Sequence, residues 1–185
     1  MLTKTELYIL SYYRACELAG SILFGRLAFH TEIDVIRTKL THHCLEEAEH
    51  AWLWTKTIEE LGATPEKVTH VYQTELGKEF GMPRTTLEIF CLTQIFEIRT
   101  MQHFTMHRDM KGVHPLIKKA LQKMIEDENG HLGWIKHELN TLASNGNRIL
   151  VEKTMKKIGK IDAMIYKRIM SQSPFQEYFH YEKTE

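Results

Sequence analysis

Apolar residues recur along this chain at three- and four-residue steps, the spacing of one buried helix face. The first such stripe is Leu10, Tyr13, Glu17, Gly20, Phe24 and Ala28, within a predicted helix from about Thr3 to His30. Thr3 followed by Glu6 has the spacing of a capping box at its start. A second stripe holds Ile36, Leu40, His43, Glu47, His50, Trp54, Ile58 and Leu61. It predicts a helix from about Glu32 to Leu61, closed by Gly62 as the residue past the end. The stretch 62–84 carries Pro65, Gly77, Gly81 and Pro83. It is too long for a tight helix hairpin and reads as a crossover with a short helix around Val68–Lys78.

A third helix is predicted from Thr85–Thr86 to about Arg108, with Phe90, Thr93, Glu97, Thr100, Met101 and Phe104 on one side. After the turn "KGVHP", a fourth runs from Pro115, a favoured first helical residue, to about Ala143. Its face is Ile117, Leu121, Met124, Glu128, His131, Ile135 and Leu142. "SNGN" at 144–147 breaks the chain. A fifth helix follows over about 148–171, with Met155, Ile158, Ile161, Ile165 and Ile169 inward and lysines outward. No segment alternates with period two for long enough to be a strand. The expected class is all-α: a four-helix bundle over residues 1–146 with a long crossover between helices 2 and 3, and a C-terminal helix and aromatic tail at 147–185 packed on the same domain.

Six residues do not belong on these stripes. Glu17, Glu47, Glu97 and Glu128 fall among apolar neighbours, one per long helix, and His50 and His131 follow two of them at i+3. A buried carboxylate without a counter-charge costs several kcal/mol or takes up a proton. Nearby basic residues such as Arg99 are phased to point elsewhere, which leaves a metal as the natural partner. In Glu-x-x-His both side chains sit about one turn apart on one face. Glu17 precedes Glu47 by 30 residues and Glu97 precedes Glu128 by 31, so the chain reads as a degenerate two-fold repeat of a lone Glu and a Glu-x-x-His. Four carboxylates balance two divalent cations, and the oxygen and nitrogen donors suit iron or manganese better than calcium. With 20 Glu and 11 His in the chain, about one Glu-x-x-His is expected by chance, and Glu177–His180 near Pro174 is taken as that one.

Composition narrows the picture. The 185 residues are enough for a domain with a sizeable core. A formal net charge of zero gives no electrostatic case for nucleic acid or an acidic membrane surface. No apolar run approaches a membrane span, and the N-terminal residues lack a signal-peptide core, so the expected location is cytoplasmic. Cys16, Cys44 and Cys91 form no CxxC, which removes a zinc ribbon or a rubredoxin-type iron site from this chain; all three are expected as small buried apolar residues.

The pattern carried by Glu17, "EEAEH", Glu97 in "IFEIRT", and "EDENGH" resembles the ferritin-like superfamily of di-iron carboxylate proteins over about residues 3–143. The resemblance implies a bundle with one long crossover, matching 62–84. It implies two iron ions, or iron and manganese, with a bridging oxo, hydroxo or water, held by Glu17, Glu47, His50, Glu97, Glu128 and His131. Glu47 and Glu128 would bridge. Many members place an acid before each motif Glu to orient the histidine of the other motif, which assigns Asp127 to His50 and Glu46 to His131. Tyr13, one turn before Glu17, is placed to hydrogen-bond a ligand or simply to pack; packing is the commoner outcome. His43, one turn before Glu47, is expected to be a partly exposed helix histidine. Gly130 inside the second motif implies either a close helix neighbour or room for a small ligand.

The activity that the resemblance implies is oxidoreduction with dioxygen or peroxide. Four Glu and two His resemble the oxygen-activating oxygenases and oxidases, expected as monomers or homodimers. Such an enzyme needs an external electron donor, a ferredoxin or reductase. Rubrerythrin-type peroxidases often carry an extra ligating Glu and a rubredoxin domain; no CxxC is present here, a departure that argues against a self-contained peroxidase. The competing expectation is a ferritin- or rubrerythrin-like protein that binds or oxidises iron without an organic substrate.

Overall fold

The computed structural model describes residues 2–180. Among them are seven α-helices and no strand: α1 (Lys4–His30), α2 (Asp34–Glu60), α3 (Tyr72–Phe80), α4 (Thr86–Asp109), α5 (Pro115–Leu142), α6 (Arg148–Met170) and α7 (Ser173–Phe179). No helix of the described residues is long and apolar enough to cross a membrane. The chain forms two compact units, residues 1–75 with 168–185, and residues 76–167.

The helix ends follow the local chemistry. At α1 the Glu6 N–H donates to Thr3 Oγ1 and the Thr3 N–H donates to Glu6 Oε2, completing the capping box. α2 ends in the reciprocal bonds of a Schellman motif: the Gly62 N–H donates to the Glu59 carbonyl and the Ala63 N–H to that of Ile58. Gly62 takes the left-handed φ of 79° that this motif requires. Thr85 caps α4 through the Glu88 N–H. His114 caps α5, with Pro115 in the first turn. The short crossover helix starts at Tyr72 rather than Val68, because the Thr74 hydroxyl closes the turn on Val71 and sets the start there.

In the first unit, α1 and α2 pack as a hairpin. The stripe read from the sequence is its buried face: Leu10, Phe24, Leu40, Trp54 and Ile58 are inaccessible to solvent. The Ser21 hydroxyl donates to the Cys44 carbonyl, and Arg14 donates to Thr55, tying the two helices laterally. The crossover is pinned to α1 where the Tyr72 N–H donates to Tyr12 Oη and the Glu66 N–H to Ser11 Oγ. α7 was not expected as a helix. Its Phe175 is fully buried and meets Tyr8 and Tyr12 edge-on, so part of the aromatic tail docks on α1. Tyr181 of that tail lies outside the described residues.

In the second unit, α4 and α5 pair, with Phe90 edge-on to Trp134. Arg99 does point away from the carboxylate stripe. Its guanidinium makes two hydrogen bonds to Asp162 on α6, at 2.8 and 2.6 Å, and stacks on Tyr166. His103, one turn on, lies with Nδ1 3.0 Å from Tyr166 Oη. The exposed lysines 153, 156, 157 and 160 cover the outer side of α6, as expected. The break at 144–147 is a π-type turn, Ala143–Asn147, kinked at Asn145 and Gly146 (φ 90°).

Candidate functional site

All six stripe residues are buried. Glu47 and Glu97 have no exposed surface, Glu128 and Glu17 have 1% and 2%, and His50 and His131 have 4% each. The helical period delivers them inward together with their apolar neighbours, so this burial is a property of the stripe.

In the first unit, Glu17 on α1 faces His50 on α2, with Oε2 3.8 Å from Nδ1. Glu47 sits one turn earlier on α2. A Cβ built on Gly20 would lie 2.5 Å from Glu47 Oε2 and 3.0 Å from its Cδ, so the carboxylate occupies space that only a glycine at position 20 leaves open. His43 corrects the sequence reading. It is 1% exposed, not a partly exposed surface histidine. Its Nε2 lies 3.2 Å from Glu47 Oε1, and its ring stacks on Phe24 at 3.8 Å between centroids. The stripe itself contained the signal, since His43 falls in phase with Leu40, Glu47 and His50. Tyr13 is buried and packs its ring against Trp54.

In the second unit, Glu128 and His131 of α5 are in contact, His131 Nδ1 lying 2.6 Å from Glu128 Oε2. Glu97 of α4 and His131 offer ligand atoms within 4.8 Å of each other. Gly130, between the two motif residues, is exposed, and a Cβ there would meet nothing within 4 Å. It faces solvent, with neither a close helix nor an enclosed space beside it. Glu177 and His180, the third Glu-x-x-His, lie on and just after α7, outside the buried stripes.

The two acids that precede the motifs are half-buried. Glu46 Oε2 accepts from His42 Nδ1 at 2.8 Å, and both oxygens of Asp127 accept from Lys123 Nζ. Cys16 and Cys91 are buried, and burial pushes the Cys91 thiol up to about 11. Cys44 is only half-buried, contrary to expectation, beside Ser21 Oγ at 3.4 Å.

The donor chemistry fits a metal. Each unit buries two carboxylates and at least one imidazole, and no thiolate belongs to either set. Oxygen and nitrogen donors of this kind suit iron or manganese. A divalent cation offsets the desolvation that buried carboxylates suffer. The Rubrerythrin family model matches residues 9–139, well over half of the chain, and takes in all six residues. Comparison with curated proteins and with solved structures gives no match.

Proposed function

The chain belongs to the Rubrerythrin family, within the ferritin-like superfamily of di-iron proteins, and from that premise we propose that it is a non-haem di-iron, or iron–manganese, oxidoreductase acting on dioxygen or peroxide. The residues that would hold the ions in this reading are Glu17, Glu47, His50, Glu97, Glu128 and His131, and the site-bearing domain spans 1–146. The single observation that carries it is the burial of four carboxylates and two histidines within the stretch that the family model matches. When bound, such a pair of ions would supply the electrons that reduce dioxygen or peroxide.

The chain's own residues set the conditions. Glu17 and His50 present an oxygen and a nitrogen from facing helices, and Glu97, Glu128 and His131 do the same from α4 and α5. Phe24, Trp54 and Phe90, all buried, line these faces with apolar surface and keep water out. A dry wall strengthens the attraction between carboxylate and cation. In the same reading Asp127 and Glu46 would orient the motif histidines by exchanging their contacts with Lys123 and His42, and Tyr13 would be a further support for Glu17. The reading takes an external electron donor, a ferredoxin or reductase in the cytoplasm, and these 185 residues contain no CxxC. A homodimer would cover the exposed apolar side chains Ile22, Phe29 and Trp52 of α1 and α2.

The family match favours a second reading equally: a protein that binds or oxidises iron with no organic substrate. One experiment separates them. The ferrous protein, prepared anaerobically, is mixed with dioxygen or with hydrogen peroxide, and iron oxidation is followed optically together with size-exclusion chromatography. An oxidoreductase oxidises about two irons per chain and, with a reductant, turns over as a monomer or dimer. An iron-storing protein takes up many more irons per chain in a large assembly. Oxidation no faster than that of free ferrous iron contradicts both.

A further inference from the structure

The two-fold repeat of the chain is broken at two positions, and both touch the same carboxylate. The residue four before Glu47 is His43; the residue four before Glu128 is Met124, which is fully buried. The residue three after Glu17 is Gly20; the residue three after Glu97 is Thr100, which is half-buried. Glu47 is therefore bounded on both oxygens. Oε1 lies 3.2 Å from His43 Nε2, and Oε2 rests over the bare Cα of Gly20. Glu128 has a thioether at the position of His43. Its Oε2 is engaged by His131, which is itself an expected ligand and must exchange that contact for a metal.

From this asymmetry we infer that His43 is a positioning residue for Glu47, and that it makes the α1–α2 half of the dimetal centre the tighter of two unequal metal positions. The inference rests on the dimetal reading above. The stacking of the His43 ring on Phe24 fixes its plane, and one helical turn sets its distance from Glu47. With the proton on Nε2, the ring sets a donor 3.2 Å from Oε1, a close approach short of a formed hydrogen bond that a small turn of the carboxylate completes. Lost partners of this kind cost roughly 10- to 100-fold in metal affinity. Of the two motif glutamates only Glu47 has such a donor one turn before it, because Met124 has none to offer Glu128.

Two variants separate the nitrogen of His43 from its ring. His43→Phe keeps an aromatic ring against Phe24 and removes the nitrogen; His43→Gln keeps an N–H donor at similar reach and removes the ring. Full-length apo-protein is titrated with Co²⁺, followed by its visible absorption, with thermal melting of each apo-protein as the check on folding. The parent should bind in two resolved steps. His43→Phe should weaken the first step by about 10- to 100-fold and the second by less, while His43→Gln stays within a few-fold of the parent. Two overlapping steps in the parent would overturn the inequality. Parent-like binding by His43→Phe, or a His43→Gln as weak as His43→Phe, would overturn the positioning role, the latter making His43 a ligand in its own right. A parent that binds no metal would overturn the dimetal reading and this inference with it.

Discussion

At the scale of single residues, two glycines of similar sequence context have opposite meanings. Gly20 lies under the Glu47 carboxylate, and a Cβ there would stand 2.5 Å from Oε2. Gly130 points into open solvent. Gly20→Ala should displace Glu47 and lower metal occupancy, even though alanine is the better helix former. Gly130→Ala should retain metal and stabilise the protein by up to about 1 kcal/mol, read as a rise in the melting temperature. Equal behaviour of the two variants in metal content would contradict the part assigned to Gly20. The four buried Glu and two His were legible in the sequence because a carboxylate in phase with Leu and Ile is carried into the core, where it needs a cation or a proton. The role of Gly20 was not legible, since a glycine in a stripe does not say what its missing side chain makes room for. The burial of His43 was legible from its phase, but phase alone does not separate it from the commoner exposed helix histidine, and its stacking partner Phe24 sits on another helix.

At the scale of elements, the long helices were readable almost to the residue from capping and punctuation: Thr3 with Glu6, Gly62, Thr85 and Pro115 each mark an end. α7 was not, because a seven-residue helix shows too few turns for a period, and its stability comes from Phe175 against Tyr8 and Tyr12 rather than from its own sequence. The histidines of α4 were also missed. His103 and His107 are both buried. Burial lowers His103 to about 3, with neighbouring His107 and Arg99 adding to the effect, and lowers His107 to about 4. Their ordinary value is about 6.5. Between those values the unfolded chain binds more protons than the folded one, so stability rises with pH across roughly pH 4 to 6.5 and is lost as pH falls through that window. Each histidine contributes a slope of about 1.4 kcal/mol per pH unit. Denaturant melts of the apo-protein at several pH values should show it, and His107→Leu should flatten the slope by about one histidine's share. An unchanged slope in that variant would contradict the burial assigned to His107.

At the scale of the whole molecule, the fold class was legible because helix-period patterning runs through nearly the entire chain and the break at 62–84 is long enough to be a crossover. The family match over residues 9–139 places that fold among the ferritin-like di-iron proteins. Whether an organic substrate belongs to the site, and which, was not legible. Metal chemistry is written in a few side chains at helical spacing, whereas a substrate is recognised by surfaces that the repeat does not encode. The central claim is that six buried residues hold two metals. The most direct test is elemental analysis of protein purified from iron-supplemented cells, beside Glu128→Ala and His50→Ala. About two irons per chain, or one iron and one manganese, with loss in both variants and a fold preserved by circular dichroism, is the predicted result. A parent without metal, and variants as stable as the parent, would contradict it.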